Sequence, residues 1–247
     1  MDKVKIRLYV DQALGAGQPV GLNEGQANYL FNVMRLSLGA VVALFNGRDG
    51  EWRATVGEAG KRGGVLLCDV QTAPLRLPPD LWLIFAPIKK ARTDFIVEKA
   101  VELGAARIIP VQTRRTNADR LRQDRLQAHA TEAAEQCGAT YVPDVADLIA
   151  LDKLLATFPA NRQLLWCDEA LAGQPARKIG DIAQPTNPPD PWAILIGPEG
   201  GFSLDEQTRL RAQSNVVSLS LGPRILRADT AAVAALTLWQ ATLGDWA

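Results

Sequence analysis

The hydrophobic and polar positions change their period once along this chain. Over residues 1–72 the apolar runs are short and strand-like. Ile6-Arg7-Leu8-Tyr9-Val10 alternates, and Val41-Val42-Ala43-Leu44-Phe45 turns at Asn46-Gly47-Arg48-Asp49-Gly50 into Glu51-Trp52-Arg53-Ala54-Thr55-Val56. Asn-Gly and Asp-Gly between such runs are hairpin signals, because these residues accept the positive φ that a tight turn needs. Gly63-Gly64 precedes a further strand, Val65 to Val70. One helix interrupts the strands, from Gly25 to Leu38, with Leu30, Val33, Met34 and Leu38 on one face and Gly39 as its stop. Short strands with a single helix predict a small barrel.

Residues 73–80 carry three prolines and read as a linker, since proline donates no ladder hydrogen bond. Beyond them strands alternate with helices. Leu81–Phe85, Arg107–Val111, Gln163–Cys167, Trp192–Ile196 and Val216–Leu221 read as strands. Helices are expected from Thr93, as N-cap, to Leu103, with Gly104 as stop, and from Asp119 to Gln136. A capping box at Ser203-Leu204-Asp205-Glu206 opens another to about Gln213, and Asp229 to Leu243 forms the last. Asp181 to Pro191, rich in proline, reads as an exposed loop. This alternation predicts a mainly parallel sheet covered on both faces.

Composition narrows the chemistry. With 47% hydrophobic residues the chain is that of an ordinary globule, and no uncharged apolar run approaches the length of a membrane span. Met1-Asp2-Lys3-Val4-Lys5 leads into no signal-peptide core. Cys68, Cys137 and Cys167 are widely spaced without a CxxC pair, which suits a reducing cytoplasm and argues against a disulfide framework or a metal site. His129, the sole histidine, is expected at the surface, which makes a Ser-His-Asp triad improbable. Formal net charge is zero, but residues 86–125 hold ten Lys/Arg against five Asp/Glu, and residues 131–206 hold four against twelve. A neutral total therefore conceals a basic segment able to meet phosphates, although such charges also simply solvate helix faces.

Two apolar runs break into Gly-Pro loops. They are Ile194-Leu195-Ile196-Gly197-Pro198-Glu199-Gly200-Gly201-Phe202 and Leu219-Ser220-Leu221-Gly222-Pro223-Arg224-Ile225-Leu226-Arg227. Without a Cβ, glycine lets backbone approach a ligand, and two such loops from neighbouring strands would form a cleft at the strand ends. Neither loop is a P-loop, a GxGxxG fingerprint or a GxSxG elbow. A ligand held by backbone groups and apolar walls remains, with Leu219, Leu221, Ile225 and Leu226 as the apolar part, and an adenine ring suits such a pocket.

These two stretches resemble the signature of the SPOUT methyltransferases, and more narrowly the RsmE family, which methylates N3 of a uridine in bacterial 16S ribosomal RNA. Lys99-Ala100-Val101-Glu102-Leu103-Gly104, Glu132-Ala133-Ala134-Glu135-Gln136-Cys137 and Phe31-Asn32-Val33-Met34-Arg35-Leu36 agree with the same family. The resemblance implies an α/β fold, with a SPOUT-type trefoil-knotted parallel-sheet domain at residues 81–247. A small PUA-like RNA-binding β-barrel at 1–72 precedes it, across the linker 73–80. It further implies S-adenosylmethionine held by Ile196, Gly197, Pro198, Gly200, Gly201, Leu219, Leu221, Gly222, Ile225 and Leu226. A homodimer in the cytoplasm, acting on 16S ribosomal RNA within the small subunit, completes the implied picture. Departures are Asn28-Tyr29 where the family usually has a histidine, Ala139 where an arginine is common, and Asp229 in place of a glutamate.

Methylating neutral uracil N3 requires loss of its proton and stabilisation of charge on O2 and O4. On this reading Arg227 supplies the positive charge and Glu199 orients the base or accepts its proton, the two catalytic candidates, although Glu199 could equally cap a nearby helix. RNA phosphates would meet Arg7 and Arg35 on the barrel and Lys89, Lys90, Arg92, Arg114 and Arg115 near the strand ends. Another RNA target, such as a ribose 2′-OH or a different base, and a non-catalytic ribosome assembly factor are the competing readings.

Overall fold

The structure, a computed structural model, describes residues 4–117, 121–173, 179–183, 186 and 190–246. Contacts divide the chain into two compact units. The first comprises residues up to Leu77 together with Ala134–Val142; the second comprises Pro78–Ala133 and Pro143 onward.

In the first unit the strands are β1 (Arg7–Tyr9), β2 (Pro19–Leu22), β3 (Val41–Phe45), β4 (Glu51–Ala59) and β5 (Gly64–Ala73). They form one sheet in the order β1-β3-β4-β5-β2, antiparallel except for the β1–β3 pair. Three register shifts along β4–β5 bend the sheet, the usual effect of bulges. Alternation sends Leu8, Val10, Val20, Leu22, Val42, Leu44, Ala54, Val56 and Leu66 into a single core, joined by Leu30. The β3–β4 turn closes as its sequence predicts. Asn46 Oδ1 accepts from the backbone of Arg48 and Asp49 at 3.0 and 2.8 Å, and Gly47 and Gly50 take φ of 75° and 76°.

The helix expected over Gly25–Leu38 is shorter and of mixed type. A capping box between Asn23 and Gln26 starts α1 (Glu24–Ala27), which widens into a π-helical stretch at Asn28–Val33. Met34 N donates to Tyr29 O, five residues back, at 2.9 Å. Such a turn breaks the 3.6-residue period, so positions three and four apart no longer return to one face. Leu30 is accordingly buried, while Val33, Met34 and Leu38 are exposed.

Arg7 is committed to the interior of this unit. Its Nε pairs with Glu51 Oε2 at 2.6 Å, and its Nη atoms donate to the carbonyls of Ala134, Glu135 and Ala139 at 2.6–2.9 Å. The guanidinium also lies over the Phe45 ring at 4.4 Å. With 11% of its side chain exposed it has no free donor face for a phosphate, so the expectation of an RNA contact at Arg7 is wrong. Glu51 and the unsatisfied carbonyls at the C-terminal end of the helix Gln123–Cys137 outcompete an external ligand.

The second unit contains β6 (Leu81–Phe85), α2 (Lys90–Glu102), β7 (Arg107–Gln112), α3 (Gln123–Cys137), β8 (Asp144–Val145), β9 (Ile149–Ala150) and α4 (Leu151–Ala156). It continues through β10 (Gln163–Cys167), α5 (Ile179–Ile182), β11 (Trp192–Ile196), α6 (Leu204–Ala212), β12 (Val216–Leu219) and α7 (Ala228–Leu243). Every strand pair in its sheet is parallel, in the order β12-β10-β11-β6-β7-β8, with β9 also on β7. All five residues of β11 are buried, as a strand covered on both faces requires. Leu151 and Leu154 of α4 and Leu210 of α6 pack with Ile84, Ile109, Leu164 and Leu195 on one face. On the other, α7 packs on α2 and β11, and Gln240 Nε2 donates to Leu103 O at 2.7 Å where α2 ends.

Thr93 is not the N-cap of α2. The helix begins three residues earlier, behind Lys89, and the Thr93 hydroxyl closes the preceding turn by bonding both backbone groups of Ile88 at 3.0 Å. The expected start of α3 at Asp119 and residues 184, 185 and 187–189 of the proline-rich 181–191 stretch lie outside the described residues, and Asp181 falls in α5. His129 is half-buried rather than at the surface: its Nδ1 lies 3.0 Å from Glu98 Oε1, beside the Arg125–Asp94 ion pair. No helix among the described residues is long and apolar enough to cross a membrane.

Candidate functional site

A cavity of about 410 Å³ opens where β10, β11 and β12 end. Open α/β sheets bind ligands beyond the carboxyl ends of their strands, and the size fits a cofactor-scale molecule. The two Gly-Pro loops both line it, but they do not leave neighbouring strands. β10 lies between β11 and β12, and its own loop supplies a third wall, Cys167, Asp168, Glu169 and Ala172.

The loop after β11 is a braced turn. Gly201 N donates to Pro198 O at 2.9 Å, and Gly201 sits at φ 65°, a conformation side-chain-bearing residues rarely adopt. A Cβ on Gly201 would overlap Glu169 Oε1, and one on Gly197 would come 2.7 Å from the Phe202 ring. That ring packs edge-on against Trp166. The capping box places Glu206 at the start of α6, where Oε2 accepts from Ser203 N at 2.8 Å. Its buried Oε1 accepts from Arg114 N at 2.8 Å, tying the loop after β7 to this turn. Arg115 Nη1 donates to Gly200 O at 2.6 Å.

The loop after β12 is held more lightly. Ser220 Oγ donates to Leu171 O at 3.1 Å, and Gly222 takes φ 109° with nothing within 4 Å of where a Cβ would stand. Leu219, Leu221, Ile225 and Leu226 line the cavity, and Ile225 remains 72% exposed. An apolar side chain left uncovered at a cavity mouth marks a surface that a ligand can cover.

In the third wall, Asp168 is buried and fully engaged. Its Oδ1 accepts from Ala170 N at 3.0 Å and its Oδ2 pairs with Arg211 at 3.1 Å. Burial pushes the Cys167 thiol up to about 12, so it presents a neutral, apolar surface and no thiolate nucleophile.

Around the rim the charges are mostly basic: Lys89, Arg92, Arg224 and Arg227. Arg92 stands between two acids, 3.6 Å from Glu199 and 3.7 Å from Asp229. Arg227 occupies the N-cap position of α7, and among the described residues no hydrogen bond or ion pair takes its guanidinium, which leaves it open to a ligand beside the positive end of that helix.

Of the expected cofactor residues, Ile196, Gly197, Pro198, Gly201, Leu219, Leu221, Gly222, Ile225 and Leu226 line the cavity. Gly200 does not line it, and its carbonyl is taken by Arg115. Glu199 and Arg227 line it together with Lys89 and Arg92. Lys90, Arg114 and Arg115 are exposed but outside its lining, and Arg115 serves as a brace. Arg35, in the first unit, is exposed at φ 56° after the π-helical stretch. Sequence reasoning missed Cys167, Asp168 and Glu169. The available signal was an apolar run ending in Cys-Asp-Glu, with no glycine to draw attention to it.

Comparison with known proteins agrees with this geometry. Residues 75–240 match the model of an RNA methyltransferase domain, and residues 22–66 match an RNA methyltransferase PUA domain. Ribosomal RNA small subunit methyltransferase E of Rickettsia conorii is 30% identical over 231 residues, covering 93% of each chain. Its namesake in Bacillus subtilis is 28% identical, covering 86% of each. Among solved structures, ribosomal RNA small subunit methyltransferase E from Neisseria gonorrhoeae bound to S-adenosyl methionine superposes with a TM-score of 0.87. The match has 28% identity and covers 98% of this chain and 99% of that one. A putative methyltransferase from Legionella pneumophila in complex with bound SAM gives 0.87 at 29% identity, over 99% of this chain and 100% of the other. The chain belongs to the RNA methyltransferase family, alongside relatives named ribosomal RNA small subunit methyltransferase E, with a PUA domain ahead of its methyltransferase domain.

Proposed function

We propose that this protein transfers the methyl group of S-adenosylmethionine to N3 of a uridine in 16S ribosomal RNA of the small subunit. The observation that carries the reading is the cavity at the ends of β10, β11 and β12, walled by two glycine loops in a chain of this family. The residues present suit the cofactor. Glycines at 201 and 222 hold backbone conformations that keep side chains out of the cavity, and Leu219, Leu221 and the uncovered Ile225 offer an apolar seat for adenine. When bound there, S-adenosylmethionine supplies an electrophilic methyl group on a sulfonium.

The protein's part is to make uracil N3 a nucleophile. Arg227, free at the N-terminus of α7, stabilises the negative charge that builds on O2 and O4, and the helix dipole adds to it. Glu199, fixed by Arg92, accepts or orients the N3 proton. Asp229 holds Arg92 from the other side, a task its short side chain performs from the first turn of α7. No cysteine adduct is required, and a thiol pushed up to about 12 at Cys167 is unsuited to one.

Lys89, Lys90 and Arg92 crowd the positive end of α2, whose first turn carries no acid. Glu199 and Asp229 offset Arg92 alone, so an anion beside Lys89 and Lys90 gains from the helix dipole, which favours a phosphate contact by Lys89, Lys90 and Arg92 and by the exposed Arg35 and Arg114. We include in the reading a trefoil knot, a homodimer, a cytoplasmic location and the assembled small subunit as partner. The chain passes from β11 across β10 to β12 and returns through α7 to pack on β11, a path that favours the knot. Exposed Phe95 on α2 and Leu238 on α7 favour a second copy against that face.

Two measurements test the reading. Titration calorimetry should show one saturable S-adenosylmethionine site, and no binding would favour the non-catalytic assembly factor. Binding of a small-subunit RNA fragment should weaken steeply with salt, and a flat response would remove the phosphate contacts.

A further inference from the structure

One carboxylate in the cavity wall is left without a task by the mechanism above. Glu169 opens the short 3-10 turn after β10, and its Oε1 lies against Gly201, occupying the space a side chain there would need. Among the described residues no donor or cation pairs with it, whereas the adjacent Asp168 is consumed by Ala170 N and Arg211. The glycine at 201 thus lets a solvated acid stand inside a ligand cavity. A ligand that displaces its water must return the hydrogen bonds, or binding suffers.

The charges divide the cavity. Lys89 and Arg92 follow β6, and the ion pairs of Arg92 with Glu199 and Asp229 gather on that side. Arg224 and Arg227 follow β12 on the other flank; β10 lies between β11 and β12, so Glu169 stands on the wall between these two basic edges. An amino-acid end carries a carboxylate and is drawn to the cations; a ribose carries two neighbouring hydroxyl donors and asks only for acceptors. Two carboxylate oxygens match a vicinal diol, the pairing dinucleotide-binding folds also use.

We propose that Glu169 is the specificity residue that accepts hydrogen bonds from the 2′- and 3′-hydroxyls of the cofactor ribose. The proposal rests on the reading that this cavity takes S-adenosylmethionine. The test is calorimetry on the full chain and on its Glu169→Ala and Glu169→Gln variants, with S-adenosylhomocysteine and with 5′-methylthioadenosine, which keeps the nucleoside and lacks the amino-acid end. Glu169→Ala should raise Kd about tenfold for both ligands, and Glu169→Gln, which keeps one acceptor oxygen, should fall between. Because the side chain is exposed, thermal midpoints should not move. A loss confined to S-adenosylhomocysteine would place Glu169 at the amino-acid end, and no loss for either ligand would release it from the site; each overturns the proposal. Wild-type protein that binds neither ligand would strike the cofactor reading itself.

Discussion

Replacing Arg227 with alanine should lower methyl transfer about 100-fold or more and change S-adenosylmethionine affinity by less than about twofold. The asymmetry follows from where the side chain stands. Arg227 lines the cavity from the N-cap position of α7 and makes no capping bond, so removing it disturbs neither the helix nor the apolar seat formed by Leu219, Leu221 and Ile225. What is lost is a positive charge beside O2 and O4 of the uracil as its N3 proton leaves. Single-turnover kinetics on small subunits together with calorimetry separate the two effects. Unchanged turnover would remove Arg227 from the mechanism, and a loss of cofactor affinity matching the loss of rate would make it a binding residue.

Replacing Arg7 with alanine should destabilise the first unit by about 3 kcal/mol, since it leaves a largely buried carboxylate and several carbonyls without their donor. Glu51 loses its partner at 2.6 Å, and Ala134, Glu135 and Ala139 lose theirs. For a unit of this size that corresponds to a fall in thermal midpoint of roughly 10 °C or more. RNA affinity of the protein that remains folded should keep its salt dependence. An unmoved midpoint with weaker RNA binding would return Arg7 to the RNA contacts.

The contrast between these two arginines explains what could be read from sequence. Arg227 adjoins a glycine loop, and local chemistry alone makes it a site candidate. Arg7 lies in an alternating strand where its outward phase predicts solvent, yet its carbonyl partners stand more than 120 positions later, in Ala134 to Ala139. No local pattern announces that pairing, nor that residues 134–142 group with the first unit. Strands were legible because alternation and turn glycines are local properties. The helix after Asn23 was half legible: its capping box is local, but the π-helical stretch at Asn28–Val33 breaks the period on which a face is predicted.

The site shows the same division. Gly197, Gly201 and Gly222 advertise themselves, since their positions demand what only glycine gives cheaply. The wall between them did not, because strand order is a global property. Placing β10 between β11 and β12 brings Cys167, Asp168 and Glu169 into the cavity, and nothing within residues 163–169 says so. Glu206 likewise reads as a capping residue, while its second oxygen fixes Arg114 N across 92 positions.

The central claim is the product, a uridine methylated at N3. Nucleoside mass spectrometry of small-subunit ribosomal RNA from cells lacking this protein tests it most directly. The account predicts the loss of a single N3-methyluridine, restored by the wild-type chain and not by Arg227→Ala; an unchanged modification profile would contradict it.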